Sequence, residues 1–270
     1  MSDLIKKMSF LFAIFIAGYL CIGASGATAE IRDGREIQLS VKNQYAGDDQ
    51  VWRWDMLLTN KTGYARKRSA YRYMKDRGGL RKIMIRFLSP ADIRQTGLLT
   101  WENTGADDTQ FLYLPALKKI RRIATNDKEQ TFVGTDFNYE DLENLKVDNY
   151  TYSAAGDDMR EGKECYFYEA TAKPGANTVY SRMRTWTDKE SFIRIHVEYF
   201  DKKGHLVKIG RAKNIEQIDG IWTPRYVSME SLMDGHKTEI VTTNVVYNSG
   251  LSDELFEQLN LQTAALENFN

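Results

Sequence analysis

Residues able to carry out acid–base or nucleophilic chemistry are few and widely spaced in this sequence. The three histidines are His196, His205 and His236, and none stands in an H-E-x-x-H or H-x-H pattern. No G-x-S-x-G elbow, P-loop or G-x-G-x-x-G run is present either. Because an activated nucleophile needs a base within hydrogen-bond reach, the sequence predicts a protein that is not an enzyme and needs no cofactor.

One cluster of carboxylates has the chemistry of a cation site. It contains Asp136, Glu140, Asp141 and Glu143. Carboxylate oxygens bind hard cations such as Ca²⁺, but the spacing here does not match a calcium-binding loop. Acidic residues are also favoured at a helix start, where they interact with the helix dipole. We therefore interpret the cluster as a helix start and predict no metal site.

Aromatic residues at alternating positions are the more informative candidates for binding. Alternate side chains of a strand share one face, so these rings either build an ordinary core or line a cavity inside a curved sheet. The residue pattern leaves both alternatives open. The candidate cavity residues are Trp52, Trp54, Trp101, Phe111, Tyr113, Phe132, Phe137, Trp186 and Trp222.

A compact basic run follows Pro115 and consists of Lys118, Lys119, Arg121 and Arg122, interrupted by Ile120. Charged residues are common on an exposed edge strand, where they prevent aggregation. The same run is also suited to docking against anionic headgroups or an acidic partner surface. Both interpretations place it on a solvent-exposed strand edge.

Most of the chain that positions these residues has the alternating pattern of β-strands, spaced as in sandwiches and barrels. In one example Ile193, Ile195, Val197 and Tyr199 alternate with Arg194, His196 and Glu198, which predicts that the second set points outward. About a dozen antiparallel strands in a meander are expected, and a sheet this long tends to curl. An amphipathic helix is predicted between Glu30 and Tyr45, a short helix from Ser89, and a capped short helix at Ser252.

Composition limits the classes of partner. The chain carries 37 basic and 37 acidic residues, which argues against nucleic acid, whose binding usually needs a clearly basic face. Four prolines and the lack of a Ser/Gly/Pro-rich linker favour one domain, residues 30–270.

Residues 1–29 have the pattern of a secretory signal peptide. Lys6 and Lys7 precede an apolar stretch, and Ala27-Thr28-Ala29 forms an A-x-A cleavage site before Glu30. The apolar stretch is shorter than the ~20 residues that span a bilayer. Removing the peptide leaves one cysteine, Cys165, which cannot form an internal disulfide and is expected to pack as a small apolar residue.

Three ordered motifs resemble a known family. They are the run from Phe87 to Asp92, the segment Leu112-Tyr113-Leu114-Pro115 with the basic run after it, and the stretch from Val133 to Leu142. Together they are similar to the outer-membrane lipoprotein-sorting proteins, relatives of the periplasmic lipoprotein carrier LolA.

The resemblance implies a mostly β fold with short helices (α+β), an incomplete antiparallel β-barrel wrapped around a helical lid. It further implies a periplasmic carrier that binds lipid or lipoprotein acyl chains in an apolar cavity and moves them between the inner and outer membranes. Its expected partners are an inner-membrane exporter, possibly of the resistance-nodulation-division (RND) type, and an outer-membrane acceptor. The alternative is a periplasmic interaction module, or an accessory factor of such a transporter, with a filled interior and no lipid cargo.

The signal-peptide assignment makes a direct prediction. If cleavage follows Ala29, the protein recovered from the periplasm begins at Glu30. N-terminal sequencing checks this, and a membrane-bound product that retains Met8 to Ile22 would contradict a soluble carrier.

Overall fold

The computed structural model describes residues 32–263. The predicted signal peptide and its Ala29–Glu30 cleavage site lie outside these residues. Within residues 32–263 the chain forms fifteen strands and two α-helices. The strands are β1 (Arg32–Asp33), β2 (Asp49–Thr59), β3 (Ala65–Arg77), β4 (Leu80–Ser89), β5 (Gly97–Trp101), β6 (Thr109–Leu114), β7 (Lys119–Arg122), β8 (Tyr150–Tyr152), β9 (Ala154–Arg160), β10 (Lys163–Ala172), β11 (Arg182–Asp188), β12 (Arg194–Phe200), β13 (Leu206–Ile218), β14 (Ile221–Ser231) and β15 (His236–Tyr247); the helices are α1 (Gly34–Asn43) and α2 (Asn260–Thr263).

These strands form one antiparallel sheet in the order β1-β9-β10-β11-β12-β13-β14-β15-β2-β3-β4-β5-β6-β7, with β8 beside β10. The pairing of β15 with β2 joins a first half, β2–β7, to a second half, β8–β15. The ends of the order, β1 and β7, do not pair with each other, so the sheet is not closed into a barrel. The structure therefore confirms the expected large antiparallel sheet. No helix within residues 32–263 is long and apolar enough to cross a membrane.

One face of the sheet is called here the inner face. Around the first half of the sheet, this face is covered by residues 123–149, called here the plug. Alternate residues of the strands contribute the apolar wall, and Phe132, Phe137 and Tyr139 of the plug pack into it. The wall includes Met56, Leu58, Ala70, Ile85, Phe87, Leu98, Leu112, Met229 and Ile240.

The plug is built from 3₁₀ turns, at Thr125–Asp127, Phe132–Gly134, Glu140–Leu142 and Val147–Asn149. Its backbone is bonded to the backbone of the other described residues at its two ends, from Ile123 N to Gln110 O (2.9 Å) and from Lys173 N to Asn149 O (2.9 Å). The helix start expected at the acidic cluster is thus one 3₁₀ turn. The cover over this half of the sheet contains no α-helix.

The helix predicted from Ser89 is wrong. Residues 90–95 form turns in which Ile93 N donates to Pro90 O (3.3 Å) and Gln95 N donates to Phe87 O (2.9 Å). The hydrogen bond from Gln95 returns the chain to the end of β4, and β5 begins at Gly97. The connection is therefore too short for a helix, although Ser89 and Pro90 have the residue types of a helix start.

The predicted N-terminal helix is confirmed as α1, which ends before Tyr45. The Asp33 side chain accepts a hydrogen bond from Arg35 N, as an N-cap does. Ile37 packs against Tyr168 on the second half of the inner face. Gly34 allows this close approach, because a Cβ there would lie 2.6 Å from Ser153 O.

The opposite face of the first half, the outer face, is covered by the C-terminal segment. Leu251, Phe256 and Leu261 pack against Tyr73, Met84 and Leu99. The predicted short helix at Ser252 is confirmed as the 3₁₀ turn Asp253–Phe256, capped by the Ser252 side chain.

Asp49 anchors the start of this segment. Its carboxylate accepts hydrogen bonds from Ser249 N and Oγ (2.8 Å each), Gly250 N (2.8 Å) and Leu251 N (3.0 Å). Burial opposes ionisation of the carboxyl group, but these hydrogen bonds outweigh it and hold the pKa of Asp49 below its usual value.

Substitution Asp49→Asn should therefore destabilise the fold by about 1–3 kcal/mol at pH 7, because charged hydrogen bonds are lost. A carboxyl group with a lowered folded pKa stabilises above its unfolded pKa, and this stabilisation is lost as pH falls through the folded pKa. The difference from wild type should thus shrink in acid. Urea unfolding at pH 7 and pH 3 measures it, with the exposed neighbour substitution Asp48→Asn as control. Equal effects of the two substitutions would contradict the assignment.

Candidate functional site

In the structure the nine candidate cavity residues lie in different packing clusters and on different faces of the sheet. Trp54, Phe132 and Phe137 belong to the inner core of the first half. Trp101, Phe111 and Tyr113 lie on the outer face, where the Trp101 Nε1–H donates to Phe256 O (2.8 Å). The reason is the two-residue period of β5 and β6, which alternates these rings with the inner residues Leu98 and Leu112.

The remaining three candidates lie apart from both groups. Trp186 packs with Phe167 and with Cys165 in the second half, and its indole N–H donates to Asp158 (2.6 Å). Trp52 and Trp222 are half-buried and belong to none of these clusters. The nine residues therefore do not share one surface.

The inner core of the first half is filled by the plug. Phe132 stacks on Phe87 with ring centroids 5.5 Å apart and meets Tyr139 edge-on at 6.1 Å. These separations are those of packed aromatic pairs. In this conformation the plug occupies the space that an apolar ligand would need.

Polar contacts hold the plug to the sheet. Asp136 accepts a hydrogen bond from Thr238 Oγ1 (2.7 Å) and lies 2.7 Å from His236 Nδ1, both on β15. Lys208 of β13 donates to Asn138 Oδ1 (2.7 Å) and to Asp141 Oδ2 (3.1 Å). The predicted acidic cluster thus supplies the anchors of the plug. Within residues 32–263, no three His, Cys, Asp or Glu side chains are arranged to hold a metal ion.

A polar pocket of about 50 Å³ lies where the plug meets the second half of the sheet, and it is called here the junction pocket. Glu143 Oε2 of the plug lies 3.0 Å from Lys128 Nζ, while Glu143 Oε1 has no hydrogen-bond partner in the part of the chain that the structure describes. Burial raises the pKa of Glu143 to about 7, despite the nearby Lys128 charge. The wall opposite includes Tyr150, Tyr180, Met183, Arg194 and Tyr199.

Arg194 is a pocket residue that the sequence pattern misplaced. Alternation predicts that it points outward with His196. In the structure Trp186 pairs with His196 but Thr187 pairs with Arg194, so Ile195 is an extra residue on β12. Such a bulge shifts the alternation by one residue, and Arg194 consequently lies on the inner face. The residue types gave no signal of this bulge.

Cys165 is buried with Trp186 and Ile195, as expected for a small apolar residue. Burial raises the pKa of its thiol to about 11. The thiol is therefore protonated at neutral pH, and an activated thiolate is not present here.

Lys119 to Arg122 of the basic run form β7 at one end of the sheet order, where β7 pairs with β6 and with no other strand among residues 32–263. Lys118, Lys119, Arg121 and Arg122 are exposed, and Ile120 packs on the outer face. Arg121 also lies 3.8 Å from Asp127 of the plug. The run therefore presents a free, basic strand edge.

Comparison with known proteins identifies a family model and crystal structures that are similar to this chain. A family model with the description "Uncharacterized protein" matches residues 79–263. No curated protein matches the chain. A crystal structure of a DUF1329 family protein from Desulfovibrio piger has a TM-score of 0.80 and 34% identity, and covers 85% of this chain and 98% of that chain.

Two further crystal structures are similar. An outer membrane lipoprotein-sorting protein domain from Vibrio parahaemolyticus has a TM-score of 0.79 and 28% identity, covering 85% of this chain and 98% of that chain. A LolA superfamily protein from Nitrosomonas europaea has a TM-score of 0.66 and 15% identity, covering 84% of this chain and 99% of that chain, which shows a shared fold. The chain, with its LolA-like open sheet, belongs to the DUF1329 family.

Proposed function

We propose that this protein is a periplasmic carrier that binds the acyl chains of a lipid or lipoprotein between the inner face and the plug. The observation that carries the proposal is an apolar wall covered by a segment that forms backbone–backbone hydrogen bonds with the other described residues only at its two ends. Such a cover can move away without breaking a strand ladder. Similarity to a lipoprotein-sorting domain and to a LolA superfamily protein supports the same class.

The physical task explains why a movable cover suits a carrier. Each methylene of an acyl chain costs about 0.8 kcal/mol when exposed to water. A chain of about 15 methylenes therefore costs on the order of 12 kcal/mol, which makes unassisted crossing between membranes slow. Phe132 and Phe137 of the plug pack against the wall and keep it out of water, so in this proposal an acyl chain replaces them.

In this proposal the open sheet acts as the incomplete barrel, and α1 together with the plug acts as its lid. Trp54 and the wall around it contact the acyl chain, which replaces Phe132 and Phe137. Trp101, Phe111, Tyr113 and Trp186 serve the fold instead, because their surroundings lie away from this wall. The carrier catalyses no reaction.

The proposal predicts that loosening the plug strengthens ligand binding. Substitution Asp136→Ala removes the contacts with His236 and Thr238 and so raises the fraction of molecules with an open plug. Apparent affinity is proportional to that fraction, so the dissociation constant for dodecanoate should fall by about threefold or more. Displacement of the apolar dye N-phenyl-1-naphthylamine measures the constant.

The control is Asp49→Asn, which weakens the outer face and leaves the plug contacts in place. Hydrogen exchange in residues 123–149 should also rise when dodecanoate is added to the wild-type protein. Unchanged or weaker binding by Asp136→Ala would show that the ligand does not replace the plug. No binding by the wild-type protein would contradict the carrier function itself.

A filled interior and an exposed basic edge also favour a second candidate, a periplasmic interaction module or accessory factor of an RND-type transporter without lipid cargo. Here the plug is a permanent part of the core, and β7 binds a partner protein. This candidate predicts no lipid on the purified protein. Native mass spectrometry therefore distinguishes it from the carrier.

We further propose that the basic run docks the carrier onto anionic headgroups, at an inner-membrane exporter or an outer-membrane acceptor. Lys119→Glu combined with Arg122→Glu should weaken sedimentation with vesicles that contain phosphatidylglycerol, most clearly at low salt. Unfolding free energy should change by less than ~1 kcal/mol, because both side chains are exposed. Arg121 is left unchanged because it is close to Asp127.

The matched control reverses two exposed charges in turns, Lys61→Glu combined with Lys203→Glu. The control should reduce vesicle binding far less than the β7 variant. Equal losses would show that net charge alone governs binding, which contradicts a specific docking patch.

A further inference from the structure

The junction pocket contains a cation that no carboxylate neutralises. Lys128 and Lys146, which also line the pocket, form ion pairs with Glu143 and Asp108. The Arg194 side chain forms no hydrogen bond or ion pair with any residue between 32 and 263, although Arg194 is half-buried. Burying a guanidinium group without a partner is costly, so Arg194 is suited to pairing with a group from outside the chain.

A second unsatisfied donor lies nearby. The Tyr152 hydroxyl is buried and has no hydrogen-bond partner among residues 32–263, and the tyrosine packs against the cluster that contains Tyr150 and Met183 of the pocket. The positive charge of Arg194 acts on this hydroxyl, although burial is the larger effect and raises the pKa of Tyr152. Two donors without acceptors are complementary to an anion.

The pocket carboxylates are already engaged by the protein. Glu140 accepts hydrogen bonds from Thr178 Oγ1 and from Val179 N (2.6 Å). Asp141 accepts from Tyr180 OH (2.8 Å) and Lys208 Nζ (3.1 Å). Glu143 keeps one free oxygen, but with its pKa near 7 a large share of molecules present a neutral carboxyl group there at neutral pH.

The pocket is also connected to the proposed acyl site. Its volume of about 50 Å³ corresponds to about four water-sized spheres, at ~10–15 Å³ each. It therefore accommodates a headgroup and not a chain. Tyr199 lines the pocket. It packs against the cluster that contains Tyr150 and Met183, and also against the inner core of the first half. A chain leaving the pocket past Tyr199 would run under the plug.

We propose that Arg194 and the Tyr152 hydroxyl bind the anionic headgroup, a carboxylate or a phosphate, of an amphiphile whose chain lies under the plug. This inference rests on the proposed carrier function and names its ligand class. The guanidinium supplies two parallel N–H donors to the oxyanion, and the hydroxyl supplies a third.

The test compares headgroups on one chain length. Displacement of N-phenyl-1-naphthylamine is measured with four compounds: dodecanoate, dodecyl phosphate, methyl dodecanoate and dodecyltrimethylammonium. Each compound is titrated into wild-type protein and into the variants Arg194→Gln, Arg194→Lys and Tyr152→Phe. The exposed substitution Arg66→Gln is the control. Wild type and Arg66→Gln should prefer at least one anionic amphiphile over the methyl ester by about tenfold or more. Which of the two binds more tightly distinguishes a carboxylate from a phosphate ligand.

Arg194→Gln should lose the preference for the anionic amphiphile while keeping its affinity for the methyl ester. Arg194→Lys should keep part of this preference, and Tyr152→Phe should reduce it. An unchanged preference in Arg194→Gln, equal wild-type affinities, or tightest binding of the trimethylammonium compound would overturn the headgroup assignment and leave the carrier function standing. Failure of every compound to bind wild type would overturn both. Retained methyl ester affinity also shows that Arg194→Gln is folded.

Discussion

Burial of both faces of an open antiparallel sheet is the constraint on which the rest of this structure depends. From β3 to β6 both faces of the sheet carry a cluster of buried apolar side chains, whereas antiparallel sheets commonly expose one face to water. The chain meets this demand with two separate covers. The plug packs on the inner face and the C-terminal segment packs on the outer face, so each aromatic residue of these strands serves one cover or the other.

The two covers are attached by different chemistry. Asp49 binds the start of the C-terminal segment through backbone amides of Gly250 and Leu251, which suits a permanent attachment. The plug is attached partly through its backbone, as where Gln110 Nε2 donates to Tyr139 O (3.0 Å), and partly through its own side chains, such as Asp136 to His236 and Asp141 to Lys208. A buried ion pair such as Asp141 with Lys208 contributes little net stability, because desolvation offsets the attraction between the charges. Such pairs determine where the plug sits while leaving the cost of moving it modest.

This difference connects the fold to the proposed carrier function. A carrier needs one wall that stays intact while another opens, and the outer cover fills the first role. The inner cover ends beside the junction pocket, where Arg194 and the plug carboxylates meet. In the proposed carrier, the charge of the ligand and the position of the plug would therefore be coupled through the same small group of residues.

The sequence by itself determined the class of fold, the family and the exposed charged edge of the sheet. The two-residue period predicted the strands, the motifs around Phe87 and Leu142 indicated the family, and the charged residues of β7 indicated an exposed edge. These signals are local, because strand alternation and charge patterns need only neighbouring residues.

Only the tertiary structure decided which face each side chain occupies and what covers it. Trp54 and Trp101 both follow an alternating pattern, yet they lie on opposite faces, and a single bulge at Ile195 moves Arg194 inward. Alternation states that neighbouring residues point apart, but it does not state which set faces the interior, and a shift of one residue exchanges the sets. The partners of Asp136 and Asp141 lie about 100 and 67 positions away in the chain. Contacts at that separation exist only once β13 and β15 have taken their places in the sheet.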